Sequence, residues 1–186
     1  MMGILKQDHY VTEAEFERIN NETSELLEYV DGQIYALASP SIAHQRVSMR
    51  LSNIFFNHFD GGPCEPFAAP IDVRLVKEGL GNHLVIPDLV IICDKEGLND
   101  KRYEGVPNLI VEILSPSNQH HDLIIKMNLY AKYGVKEYWI VNPMNQSVSI
   151  YTLDNEQHYI QDIVKTSGIV ESKLYPGLVV DLNKLF

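Results

Sequence analysis

A chain of 186 residues is long enough to bury a full core within one domain, and its 45% hydrophobic and 22% charged residues exclude a disordered chain. A formal net charge of −10 excludes a protein that coats nucleic acid through phosphate contacts, but not an enzyme that meets phosphate at one metal-loaded cleft. The N-terminus lacks a basic stretch followed by an apolar one, and the longest aliphatic run, Leu89 to Cys93, is too short to span a bilayer, so a cytoplasmic protein with no membrane partner is expected.

No repeat, low-complexity tract or linker divides the sequence, so residues 1–186 read as a single domain. Thr12 with Glu15 resembles a capping box opening a short helix to about Asn20. Leu26 to Val30 and Gln33 to Ala38 flank Asp31-Gly32, a strong hairpin signal. Ser41 caps a helix from Ile42 to about Phe59, in which Val47, Leu51, Ile54, Phe55 and His58 recur at helical spacing before Gly61-Gly62-Pro63 ends it. Strands then read over Phe67 to Val76, Leu84 to Cys93 and Asn108 to Leu114. The two cysteines, Cys64 in a Gly-Pro loop and Cys93 at a strand end, cannot build a disulfide framework or a zinc site and are expected as plain thiols. A second helix, about His120 to Tyr133, ends at Gly134. Strands over Glu137 to Val141, Ser147 to Leu153 and Tyr159 to Ile163 follow, with a short segment near Leu182. This order implies an α+β fold, an α/β sandwich around a central mixed sheet.

Two of the strands carry a carboxylate inside an aliphatic run: Asp88 in "PDLVII" and Glu112 in "LIVEIL". Burying an unpaired ionised acid costs several kcal/mol, so each needs a partner. Asp88 shares a strand face with Val90 and Ile92, and Glu112 shares one with Ile110 and Leu114. If the strands are neighbours, the acids converge, and convergent acids on rigid strands scaffold a hard cation such as Mg2+, with the Ile113 carbonyl as a further ligand. Taken singly, each acid also reads as a salt-bridged or strand-end carboxylate.

The pattern Pro87-Asp88 followed by Glu112 in an aliphatic strand resembles the PD-(D/E)XK nuclease superfamily, and more closely its Uma-two family of restriction endonuclease-like proteins. The segments that carry the likeness are "LLEYVDGQIYALASPSIAHQ", "IPDLVII", "GVPNLIVEILSPSN", "KMNLYAKYGVKEYWIVNP" and "YPGLVVDLNKLF", from about residue 12 to the C-terminus. The resemblance implies a restriction-endonuclease-like fold, Mg2+ or Mn2+ as cofactor, DNA as substrate and a homodimer. The superfamily places a lysine two residues after the glutamate, where this chain has Leu114. By spacing alone, Lys126 pairs with Asp122 on the helix surface. The resemblance makes it the migrated catalytic lysine instead.

Glu28, in "LEYVDG", matches the family's N-terminal element and reads either as a third metal-site carboxylate or as an edge-strand acid facing water. His44 and Gln45, in the first turn of their helix, either touch phosphate or face solvent. His120 and His121 are adjacent on a helix and point about 100° apart, which disfavours a shared metal ion. Tyr138 and Trp139 read as core aromatics. Arg46, Arg50, Lys132 and Lys136 read as a basic rim for a duplex or as scattered surface charge. The functional expectation is a Mg2+-dependent endonuclease acting on DNA. The alternative is a non-catalytic binding module that retains the fold.

Overall fold

The computed structural model describes residues 3–4, 10–116 and 121–186, with the side chains of 3, 4 and 122 outside the description. His120 and the expected Asp122 pairing therefore fall outside the described residues. Helix α1, Glu13–Glu22, starts where the Thr12 hydroxyl accepts the Glu15 amide at 3.3 Å. Strands β2, Leu27–Val30, and β3, Gln33–Ala36, are joined through Asp31 and Gly32 at φ 48° and 76°, the left-handed pair that a two-residue hairpin requires. Strand β1, Gly3–Ile4, pairs with β3.

Helix α2, Ile42–Phe59, is capped by Ser41 and buries Val47, Leu51, Phe55 and Phe59. At about 1.5–3 kcal/mol for each buried side chain, this stripe fixes the helix to the sheet beneath it. His58, expected in the stripe, is exposed, and Phe59 takes the buried position.

Each of the two long strands expected next is two short ones. Residues 67–76 divide between β4, Glu65–Ala68, and β5, Val73–Leu75; residues 84–93 divide between β6, His83–Val85, and β7, Leu89–Ile92. The breaks fall at Pro70 and Pro87, which have no N–H to continue a ladder. At each break the chain leaves one sheet for another. The first sheet runs β1-β3-β2-β6-β5-β8, with β8 at Tyr103–Glu104. The second runs β12-β11-β10-β9-β7-β4, with β9 at Leu109–Ile113, β10 at Glu137–Asn142, β11 at Ser147–Leu153 and β12 at Tyr159–Lys165. Strands β9 and β10 are parallel and the other pairs of this sheet antiparallel, so the central sheet is mixed as expected. A small pair, β13 at Ile169–Glu171 and β14 at Val179–Asp181, was not foreseen.

The second sheet is a buried layer. On one face Leu89, Ile91, Val111, Ile113 and Trp139 meet the apolar stripe of α2. On the other, Val90, Ile92, Ile110, Leu114 and Tyr138 meet side chains of the first sheet and of helix α3, Met127–Tyr133. Helix α3 continues a π-helical turn, His121–Lys126, and stops at Gly134, whose φ of 97° caps it. A short helix α4, Leu182–Leu185, closes the chain. Among the described residues no helix is long and apolar enough to cross a membrane.

The expectation of plain thiols is corrected. Glu65 pairs with Ile92 across β4 and β7, so Cys64 and Cys93 sit opposite one another one step beyond, and they form a disulfide. Spacing of 29 residues along the chain gave no sign of that register.

Candidate active site

Asp88 is the first residue after the crossing at Pro87. Because Leu89 pairs with Val111 in an antiparallel ladder, Asp88 stands opposite Glu112, and opposed residues present side chains to one face. The Ile113 amide donates to Asp88 Oδ2 at 2.7 Å, tying the aspartate to the next residue of β9. Asp88 and Glu112 line one cavity of about 400 Å³.

Leu114, on the Glu112 face, is buried in the core and offers no amine. The amine comes from Lys126, at the end of the π-helical turn, whose Nζ lies 2.9 Å from Glu112 Oε1 and 2.7 Å from Glu28 Oε1. The wider π turn is a feature common at functional sites, and here it ends at the residue whose amine enters the site. One α-turn further on, the Tyr130 hydroxyl donates to Glu112 Oε1 at 2.8 Å.

Glu28 occupies neither place expected for it. Strand β2 is interior to its sheet, between β3 and β6, and the carboxylate is wholly buried behind Lys126 without lining the cavity. Its Oε1 accepts the Ile86 amide at 2.8 Å as well as Lys126, and its Oε2 meets His121 Nε2 at 3.0 Å. Burial pushes the Glu28 carboxyl up, but the Lys126 charge and the His121 hydrogen bond and charge outweigh it and hold Glu28 well below the usual carboxylate range. The His121 ring in turn packs on Tyr35, centroids 4.2 Å apart.

His44 is buried rather than facing solvent. Its Nε2 is 3.2 Å from both Asp88 oxygens, while Gln45 beside it is exposed on the cavity wall. The structure thus gathers Asp88, Glu112, Lys126, His44 and Gln45 around one cavity, with Glu28 behind Lys126. His121, Tyr130 and Tyr35 were missed as site residues. Tyr130 carries no sequence signal beyond its place in an apolar helix, and His121 contacts an acid 93 positions away. Two members of the expected basic rim are engaged elsewhere: Arg50 donates to the carbonyls of Leu185 and Phe186 at 2.9 and 3.0 Å, and Lys136 lines a different depression.

Among the described residues no group of three or more histidine, cysteine or acidic side chains converges as a metal cage. That excludes a protein-saturated zinc centre among those residues. Two carboxylates beside an open cavity match a Mg2+ site, which uses one or two carboxylates and retains waters.

Residues 13–183 match the model of the Uma2 family, described as "Putative restriction endonuclease". The chain belongs to the Uma2 family. Two Synechocystis sp. proteins resemble it: slr1290 is 32% identical over 134 residues, covering 72% of this chain and 69% of that protein. The second, sll1609, is 24% identical over 163 residues, covering 86% and 90%. A crystal structure from Anabaena variabilis, titled as a "putative nuclease belonging to DUF820", superposes with a TM-score of 0.76 at 19% identity, covering 95% of this chain and 97% of that one. The nuclease-like fold is therefore that of a Uma2 protein.

Proposed function

We propose that this Uma2 protein is a Mg2+-dependent endonuclease hydrolysing phosphodiester bonds of DNA, with Mn2+ as an alternative metal. The observation that carries the reading is the opposition of Asp88 and Glu112 across β7 and β9, with the Lys126 amine 2.9 Å from Glu112. Asp88, Glu112 and the Ile113 carbonyl would hold the ion, which when bound supplies Lewis-acid polarisation of the phosphate and a more acidic water.

The chain's own groups do the rest. Tyr130 and Lys126 fix the Glu112 carboxylate, and His44 and the Ile113 amide fix Asp88, so both acids are oriented before any ligand arrives. Lys126 places positive charge where an attacking water and a phosphate would meet, the service the superfamily obtains from a strand lysine. Glu28 and His121 are positioning residues, holding the amine against the cavity floor. Gln45, exposed on the cavity wall, would meet incoming phosphate. The reading includes a homodimer, on the ground of family resemblance.

The test is cleavage of single-stranded and duplex DNA with and without Mg2+, by the native chain and by Asp88→Asn and Glu112→Gln. Loss of a group that acts on developing charge costs roughly 10²–10³ in kcat. Cleavage that survives both substitutions contradicts the proposal. Binding of DNA without any cleavage supports the non-catalytic module instead.

A further inference from the structure

We infer that the strand this site accepts is unpaired: the substrate class is single-stranded DNA, or the unpaired portion of a larger structure, rather than intact duplex. The inference rests on the nuclease reading above and narrows its substrate.

Three observations carry it. First, the reactive groups are recessed. Glu112 and Lys126 are each 2% exposed and are reached through the cavity, so a scissile phosphate has to enter it. A duplex is a convex cylinder with its phosphates on the rim of a stacked ladder, and enzymes that must bring a nucleotide into a pocket act on single strands or extrude the nucleotide at a cost of a few kcal/mol. The cavity volume, about 400 Å³, is near the low end of small-ligand pockets at roughly 300–1,000 Å³, room for a nucleotide unit but not for a groove-spanning duplex.

Second, the walls are mostly apolar. Leu26, Leu37, Pro40, Pro70, Ile86 and Pro116 surround the polar floor, alongside Ser39, Gln45 and Ser48. The outside of a duplex presents phosphates, sugars and base edges, and the faces of its bases are hidden by stacking. Only an unpaired nucleotide has an apolar base face to set against such walls.

Third, the cavity lining lacks the charge a duplex binder uses. A protein that holds duplex through 6–10 phosphates needs about that many lysines and arginines facing it. Among the described residues, Lys126 is the only lysine or arginine lining the cavity, and it already contacts Glu28 and Glu112. Arg50 is turned to the C-terminus, and the whole chain carries −10. One strand brings fewer phosphates into this acidic field than two.

The experiment compares two substrates without ends, a closed circular single strand and a relaxed, covalently closed duplex of the same sequence, each with Mg2+ and with Mn2+. The expected result is cleavage of the single-stranded circle at least tenfold faster. Equal or faster cleavage of the duplex overturns this inference and leaves the nuclease reading standing. No cleavage of either overturns both. One variant locates the strand: Ala38, exposed on the cavity wall, is changed to tryptophan. Ala38→Trp is expected to raise KM for the single strand at least tenfold with the melting temperature unchanged; an unchanged KM contradicts entry by this cavity.

Discussion

Replacing Lys126 by methionine keeps the length and the apolar stem of the side chain and removes only the ammonium that bridges Glu28 Oε1 at 2.7 Å and Glu112 Oε1 at 2.9 Å. Both carboxylates are at most 2% exposed, and deleting one partner of a buried ion pair costs about 3–5 kcal/mol. The Glu28 carboxyl shows the same direction: burial pushes it up, yet Lys126 and His121 together hold it at about 2 against an ordinary 4.5. For a chain of this length each kcal/mol moves the melting temperature by about 2–4 °C, so Lys126→Met should melt roughly 6–20 °C lower at neutral pH. The sign with pH follows from the depressed carboxyl: its stabilisation is present above the unfolded value and is lost as pH falls from 4.5 towards about 2. Below that interval Glu28 is protonated in both proteins and the lysine has less to stabilise. The gap in melting temperature should therefore widen as pH rises through the interval and stay wide above it. Circular dichroism melts across that range, in chelator, measure it. Equal melting temperatures at neutral pH, or a gap that ignores pH, would refute the buried ion-pair account.

Tyr130→Phe removes the 2.8 Å hydrogen bond to Glu112 and should lower Mg2+ affinity about 10–100-fold by calorimetry; an unchanged affinity shows that the hydroxyl does not orient the acid. Glu137 is a buried carboxylate with a different task, accepting from Trp139 Nε1 at 2.6 Å, Ser172 Oγ at 2.8 Å and the amides of Lys173 and Leu174 at 2.8 and 2.7 Å. Glu137→Ala strands these donors, at about 1–3 kcal/mol for a buried unsatisfied group, and should depress the melting temperature while folded protein keeps its Mg2+ affinity. Thiol titration in denaturant without reductant should find no reactive cysteine. Closing a loop across 29 positions is worth roughly 3–4 kcal/mol by chain entropy, so reduction should lower stability by about that much, and two titratable thiols would contradict the pairing.

What could be read in the sequence was local. Asp31-Gly32 specifies a turn whose dihedrals only such residues adopt readily, and Ser41, Gly61 and the heptad-like apolar positions between them bound α2. Asp88 and Glu112 announced themselves because an acid inside an aliphatic run violates the pattern around it, and the missing amine at Leu114 pointed away from the strand. What depended on register was hidden. The continuous apolar runs across Pro70 and Pro87 read as single strands because both halves are buried, although they lie in different sheets. Cys64 meets Cys93, and His121 meets Glu28, only through pairings made elsewhere in the chain. An edge-strand reading stayed open for Glu28, beside that of a third metal-site carboxylate, because the hairpin shows its two strands but not β6, which covers its other side.

The central claim is that Asp88 and Glu112 together hold one divalent cation beside Lys126. Anomalous diffraction from a Mn2+-soaked crystal tests it most directly. A single peak bridging oxygens of both carboxylates at about 2.0–2.4 Å is the expected outcome, given the distances at which oxygen binds hard divalent ions. No peak there at full soak, with Glu112 still on Lys126 and Asp88 still on His44, would contradict the account.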